Sequence, residues 1–210
     1  MFERLVIWGA GGHARVIVDI VILTEGYEII GFLDDVNPEC RPVTFCRAPV
    51  LGGAEQLEML REEGVVNIVF GFGNCQARMA RADIARSHGF ILATLIHPKA
   101  IVAQDVVIGV GTVVAAGAVI NPGSCIGKNV IVNTGATIDH ECVIEDGAHI
   151  CPGVHLAGNV IVGAGAWVGI GATVIQKIRI GAGAVIGAGA VVLRDIPANT
   201  TAYGVPARIH

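Results

Sequence analysis

Residues 126–150 read IGKNVIVNTGATIDHECVIEDGAHI. Counted in sixes, Ile126, Val132, Ile138, Ile144 and Ile150 are all aliphatic. The count extends in both directions without an insertion: in steps of six from Ile96 to Val192, all seventeen positions are Ile, Val or Leu. Four residues after each comes a mostly small side chain, as at Ala118, Ser124, Ala136, Cys142 and Ala148, and Gly recurs at the second and fourth positions. A fixed internal period marks a stacked repeat, and a period of six points to a parallel β-helix. Each hexad supplies a short strand and a corner, and three close a triangular coil. The aliphatic fills the interior, and Gly supplies corner dihedrals that other residues resist. At a strand spacing of about 4.8 Å, nearly six coils give a prism roughly 27 Å long. Pro197 reads as the end of the run, so the β-helix is expected over 96–197 and a tail over 198–210.

Residues 1–95 follow a different pattern. An apolar strand at 5–8 runs into a glycine turn and a helix over about 14–23. EIIGFLDD reads as a strand ending in two carboxylates, AEQLEMLREEG as an amphipathic helix, VVNIVFGFGN as a strand and ARMARADIARSHG as a helix. Strands alternating with helices predict a short Rossmann-like parallel sheet, an α/β unit of about half a dinucleotide-binding fold. The stretch from Gly9 to Ala14 fits GxGxxA after a strand, with Asp34 twenty residues beyond Ala14. That spacing provides a tight turn, close backbone approach and a helix N-terminus aimed at phosphate. His13 stands at the helix start, Asp34 and Asp35 at a strand's carboxyl end, and Gly71 and Gly73 end the next strand, where a ligand can approach.

Composition narrows the function. Of 210 residues, 53% are apolar and 15% charged, which suits a folded chain. No apolar run reaches the roughly 18 residues of a spanning helix, and the N-terminus is unlike a signal peptide, so no membrane insertion and a cytoplasmic location are expected. A net charge of −4 without a basic stripe argues against nucleic acid. Six cysteines without CxxC spacing read as reduced small hydrophobes.

The stretch 138–143, IDHECV, puts polar side chains into the packing tract. Ile138 and Cys142 hold inward positions, whereas His140 and Glu141 take the third and fourth positions at the outward corner. Residues 18 apart stack, so His140 lies between Pro122 and Gly158. His149 and His155 are one hexad apart and point apart, so no metal site is expected. Asn133, His149, Ile170 and Ala188 outline an apolar groove up one corner, expected to start near His140 and suited to a pantetheine arm. Asp139 has no evident role.

The motifs WGAGGHA, GFLDD, GFGN, IHPKA, NTGATIDHECVI, His149, AGNV and AYGVPAR run in order from residue 8 to 208. On these the chain resembles the bacterial sugar acetyltransferases of the PglD, PerB and NeuD type. The resemblance implies a nucleotide-sugar-binding α/β domain joined to a left-handed β-helix, assembled as a homotrimer with active sites between subunits. It matches His140 to the general base and Glu141 to the neighbour that raises its basicity. Asn133, His149, Gly158, Ile170 and Ala188 match acetyl-CoA contacts, although Ala188 replaces a Gly of some relatives. Gly11, Gly12, His13, Asp34, Asp35 and Gly73 match the nucleotide-sugar site. The implied reaction is N-acetylation of a nucleotide-linked amino sugar, a 4-amino-4,6-dideoxyhexose, without a metal. O-acetylation of a sugar hydroxyl is the nearest alternative. A metal-dependent lyase, a non-catalytic sugar-nucleotide sensor and an NAD dehydrogenase are more distant ones.

Overall fold

The computed structural model describes residues 2–36 and 42–210. The chain divides into two compact units, Met1–Pro98 and Lys99–His210.

In the first unit, β1 (Glu3–Trp8) is followed by α1 (Gly12–Thr24), β2 (Tyr27–Leu33), β3 (Thr44–Phe45) and β4 (Ala48–Gly52). Then come α2 (Leu57–Glu62), β5 (Asn67–Phe70), α3 (Cys75–Ser87) and β6 (Ile91–Leu92). The sheet order is β3-β4-β2-β1-β5-β6, parallel except for the β3–β4 pair. β1 is one of the two middle strands, and Leu5, Val6 and Ile7 are wholly buried, as a parallel strand covered on both faces must be. The chain goes from β1 to β2 on one side and later to β5 on the other. The carboxyl ends of β1 and β5 therefore flank the crevice where open α/β sheets bind ligands. The edge hairpin β3–β4 has no Asn-Gly signal. Its turn residues Cys46 and Arg47 both hold left-handed dihedrals (φ 47° and 69°), the geometry that usually selects those residues.

The second unit is the expected left-handed parallel β-helix. Two-residue strands recur every six residues and form three faces. Strands at 113–114, 131–132, 149–150, 167–168 and 185–186 make the first face. Strands at 101–102, 119–120, 137–138, 155–156, 173–174 and 191–192 make the second. Strands at 107–108, 125–126, 143–144, 161–162 and 179–180 make the third. Every partner within a face is 18 residues away, as for Thr137 and His155. The aliphatic positions form one continuous core: Val132, Ile138, Ile150, Val162 and Ile186 are wholly buried.

The two glycine positions have different causes. The fourth position of every hexad from Gly111 to Gly189 is left-handed, and it is Gly at all but Asn129, Glu141, Asn159 and Lys177. Second-position glycines such as Gly109 and Gly163 are instead required by close approach. A Cβ at Gly109 would come within 2.6 Å of the Gly127 carbonyl carbon, and one at Gly163 would fall on the backbone of Ala182. Stacking also continues past Pro197. Thr201 pairs with Val185 and Ala202 with Ile186, 16 residues apart rather than 18. The last coil is two residues shorter and has Ala202 as its inward residue, so a count in sixes misses it. Residues 201–204 and 207–209 then close as an antiparallel pair.

Candidate functional site

At the second-to-third-face corner, Asp139, His140 and Glu141 link the strand Thr137–Ile138 to Val143–Ile144. Backbone bonds clamp this turn to both neighbouring coils: Glu141 N donates to Pro122 O (3.0 Å), and Asn159 N donates to His140 O (2.9 Å). The imidazole lies over Gly158, as the 18-residue stacking predicts. A Cβ there would sit 2.5 Å from Cε1 and Nε2 of His140, so only Gly leaves room for the ring. His140 Nδ1 is 3.1 Å from Glu141 Oε2, and the two side chains are about 55% and 64% exposed, so the imidazole is open to solvent.

Asp139 now has a function. Its Oδ1 accepts from the His140 backbone N–H (2.8 Å) and from Asn121 Nδ2 (3.0 Å), which fixes the start of the His140 turn. Those two hydrogen bonds, the backbone one foremost, hold its carboxyl below the usual carboxylate range. Glu141 is likewise held low, first by a hydrogen bond from Asn159 and then by His140. Both carboxylates are therefore charged beside the imidazole at neutral pH. Cys142 is buried, its thiol donates to Ala157 O (3.2 Å), and burial raises its pKa, so it packs rather than reacts.

The remaining groove residues occupy a different corner from His140. Asn133 follows a first-face strand, and Ile170 and Ala188 take the equivalent turn of higher coils, with Gly189 N bonded to Ile170 O (2.8 Å). His149 is in the first face, with Nε2 3.1 Å from Asn133 Nδ2 and its ring 4.6 Å from that of Trp167. The structure thus joins Asn133 to His149 and stacks Ile170 with Ala188. It does not continue that groove to His140 on the same chain. The reason is arithmetic: residues 140 and 170 are five hexads apart, which is one coil plus two corners. Only Gly158 of the expected acetyl-CoA set shares the His140 corner. Between the two corners, the second face has a cleft of about 280 Å³ with Asn121, Thr137, Asp139 and His155 in its lining.

In the first unit a cleft of about 390 Å³ is lined by Gly9–His13, Asp34, Val36 and Gly71–Gly73. The space over Gly11 and Gly12 is open, with nothing within 4 Å of an added Cβ, whereas Gly71 is required by its contact with Ala14. No side chain caps α1 and no acid occupies its first turn, so the partial positive charge of its N-terminus is not offset there by a carboxylate. His13 is mostly buried. Desolvation, assisted by the Arg78 guanidinium, lowers its pKa to about 4, so it enters the cleft neutral.

Asp34 lines this cleft, and its Oδ1 accepts from Val36 N (2.9 Å). Asp35 is engaged inside the protein instead: its carboxylate accepts from Trp8 Nε1 (2.9 Å), Arg81 Nε (3.1 Å) and Ala54 N (2.8 Å). Asp35 so fixes the Trp8 and Arg81 side chains beside an adjoining cavity of about 280 Å³. Sequence reading missed Arg78, Arg81 and Asn159. Arg78 is buried and donates to Gly73 O (2.9 Å), tying α3 to the loop after β5. Only AGNV pointed to Asn159. Among the described residues no group of three His, Cys, Asp or Glu could hold a metal ion, and no helix is long and apolar enough to cross a membrane.

Residues 4–84 match the family described as the PglD N-terminal domain. No curated protein matches the chain. Among solved structures, PerB from Caulobacter crescentus in complex with CoA and GDP-perosamine is 40% identical with a TM-score of 0.94, covering 100% of this chain and 98% of that one. A histidine-to-alanine mutant of GDP-perosamine N-acetyltransferase from Caulobacter crescentus, with the same ligands, is 38% identical over the same shares (TM-score 0.95). The acetyltransferase domain of PglB from Neisseria gonorrhoeae, in complex with acetyl coenzyme A, is 38% identical over 100% of both chains (TM-score 0.92). With a matched N-terminal domain, a matched β-helix and these identities along the whole chain, the protein belongs to the nucleotide-sugar N-acetyltransferases of the hexapeptide-repeat superfamily.

Proposed function

We propose that the protein transfers the acetyl group of acetyl-CoA to the amine of a nucleotide-linked amino sugar, with His140 as general base. The observation that carries this reading is the His140–Glu141 pair, open to solvent at a corner where the fold requires no polar side chain. The amine attacks the thioester carbonyl carbon, and His140 Nε2 takes its proton as the C–N bond forms. Glu141, accepting from Nδ1–H, fixes the tautomer and stabilises the imidazolium. The tetrahedral oxyanion is assigned to the Gly158 N–H, beside the imidazole. Collapse breaks the C–S bond, the imidazolium gives its proton to the departing thiolate, and the amide and free CoA are left with His140 neutral again. No covalent enzyme intermediate is needed, in keeping with the buried Cys142.

Gly11, Gly12, His13, Asp34 and Gly73 are assigned to the nucleotide sugar, whose diphosphate suits the partial positive charge at the N-terminus of α1. Asp35 supports this site through Trp8 and Arg81. Asn133, His149, Ile170 and Ala188 are assigned to acetyl-CoA. Because they occupy another corner than His140, a complete site requires a neighbouring copy, which favours a homotrimer with sites between subunits. The named activity and bound GDP-perosamine of the relatives favour amine over hydroxyl acceptors, and a 4-amino-4,6-dideoxyhexose as the sugar. The two domains are assigned to residues 1–95 and 96–197, with the terminal pair extending the second.

The test is an assay of acetyl-CoA consumption with UDP-, GDP-, dTDP- and CMP-linked amino sugars, alongside their hydroxyl counterparts. Turnover of an amino sugar is expected, with a loss of roughly 10²–10⁴ in kcat for His140→Ala. Near-normal turnover by that variant removes His140 from the mechanism, and acetylation of hydroxyl sugars alone selects O-transfer.

A further inference from the structure

We infer that Asn159 is a positioning residue for the base: its side-chain amide holds the Glu141 carboxylate where it receives His140 Nδ1–H, leaving Nε2 free to accept a proton. The inference rests on the reading of His140 as general base and adds a third member to that pair. One carboxylate oxygen carries the arrangement. Glu141 Oε2 lies 3.1 Å from His140 Nδ1 and accepts from Asn159 Nδ2 at 3.0 Å. Asn159 also donates its backbone N–H to His140 O at 2.9 Å, so one residue fixes both the base's main chain and its partner's carboxylate.

The backbone gives an independent reason. The fourth hexad position is left-handed from Gly111 to Gly189, a conformation that disfavours residues other than Gly. At the first-to-second-face corner it is Gly117, Gly135, Gly153, Gly171 and Gly189. At the corner of His140 it is instead Gly123, Glu141, Asn159 and Lys177, with φ of 58° and 60° at Glu141 and Asn159. Three adjacent coils thus carry side chains where the fold favours none, and those of Glu141 and Asn159 bond to each other beside the imidazole. Asn tolerates this conformation better than other non-Gly residues.

The chemistry also selects an amide. A Lys or Arg at 159 would ion-pair with Glu141 and compete with His140, and an Asp would repel it. A neutral donor orients the carboxylate while leaving its charge available to the imidazolium. Asp139 and Glu141 of its own turn are charged groups that interact with His140. The coil below presents Pro122 and Gly123, and the coil above presents Gly158 and Asn159, none of them titratable.

Asn159→Gly removes the amide and keeps the dihedral, so folding is not at issue. The expected outcome is a fall in kcat of about tenfold or more. KM for both substrates should stay within about twofold, and ¹⁵N NMR should show the Nδ1–H tautomer of His140 giving way to a mixture. Asn159→Asp, nearly isosteric, should be impaired at least as much. Full kcat in Asn159→Gly, with His140→Ala inactive, overturns the inference. A fall in kcat with the tautomer unchanged also overturns it, because the residue is then only structural. Activity retained in His140→Ala overturns the base reading itself, and the tautomer measurement keeps the two failures apart.

Discussion

His13 shows how burial determines what a side chain in a cleft offers. In water its imidazole would be partly charged near pH 6.5, and a charged ring would suit a phosphate. Here desolvation comes first and the Arg78 guanidinium second, and together they lower the pKa to about 4, so the ring is neutral in the cleft at any pH near neutrality. On the proposed reading, the positive potential that suits a diphosphate then comes from the N-terminus of α1. The same shift affects stability. Between pH 6.5 and about 4 the unfolded chain binds a proton that the folded chain refuses, so stability falls as pH falls through that window. The full shift corresponds to about 3 kcal/mol. His13→Asn should therefore show a smaller drop in Tm than the parent between pH 7 and pH 4. Parallel Tm profiles would mean that His13 is not buried neutral. None of this was legible in WGAGGHA, because desolvation depends on what α3 places behind the loop.

At the scale of the element, the β-helix corner was read correctly in outline and for only half the right reason. Glycine at the fourth position answers a left-handed dihedral, whereas glycine at the second answers the backbone of the next coil. The two causes predict different penalties. Gly135 has φ 65° and open space around an added Cβ, so Gly135→Ala should cost roughly 1–2 kcal/mol, lowering Tm by a few degrees. Gly163→Ala would drive a methyl into the Ala182 backbone of the coil above and should cost more than about 3 kcal/mol. Equal losses in thermal unfolding would contradict the distinction. The β3–β4 hairpin was not legible at all, because its left-handed turn is built from Cys46 and Arg47, whose side chains give no turn signal.

For the whole molecule, the separation of His140 from the Asn133–His149 corner is the decisive fact. A single chain presents His140 on one corner and Asn133, His149, Ile170 and Ala188 on another, so on the proposed assignment one prism has two half-sites and no whole one. The expected result in sedimentation velocity is a trimer. Mixing His140→Ala with a variant impaired at Ile170 should restore part of the activity, since some interfaces then combine two intact halves. A monomer with full activity would contradict this assembly.

The sequence by itself determined the β-helix, its coil length and which side chains turn inward, because a strict period of six maps each residue onto one face and each eighteenth residue onto its neighbour. By the same arithmetic it placed His140 over Gly158. The tertiary structure alone decided which carboxylate oxygen His140 and Asn159 share, that Asp35 is engaged by Trp8, Arg81 and Ala54, and that the chain stacks one shorter coil after Pro197. Those outcomes depend on side-chain rotamers and on contacts between residues with no fixed spacing, where periodicity carries no information.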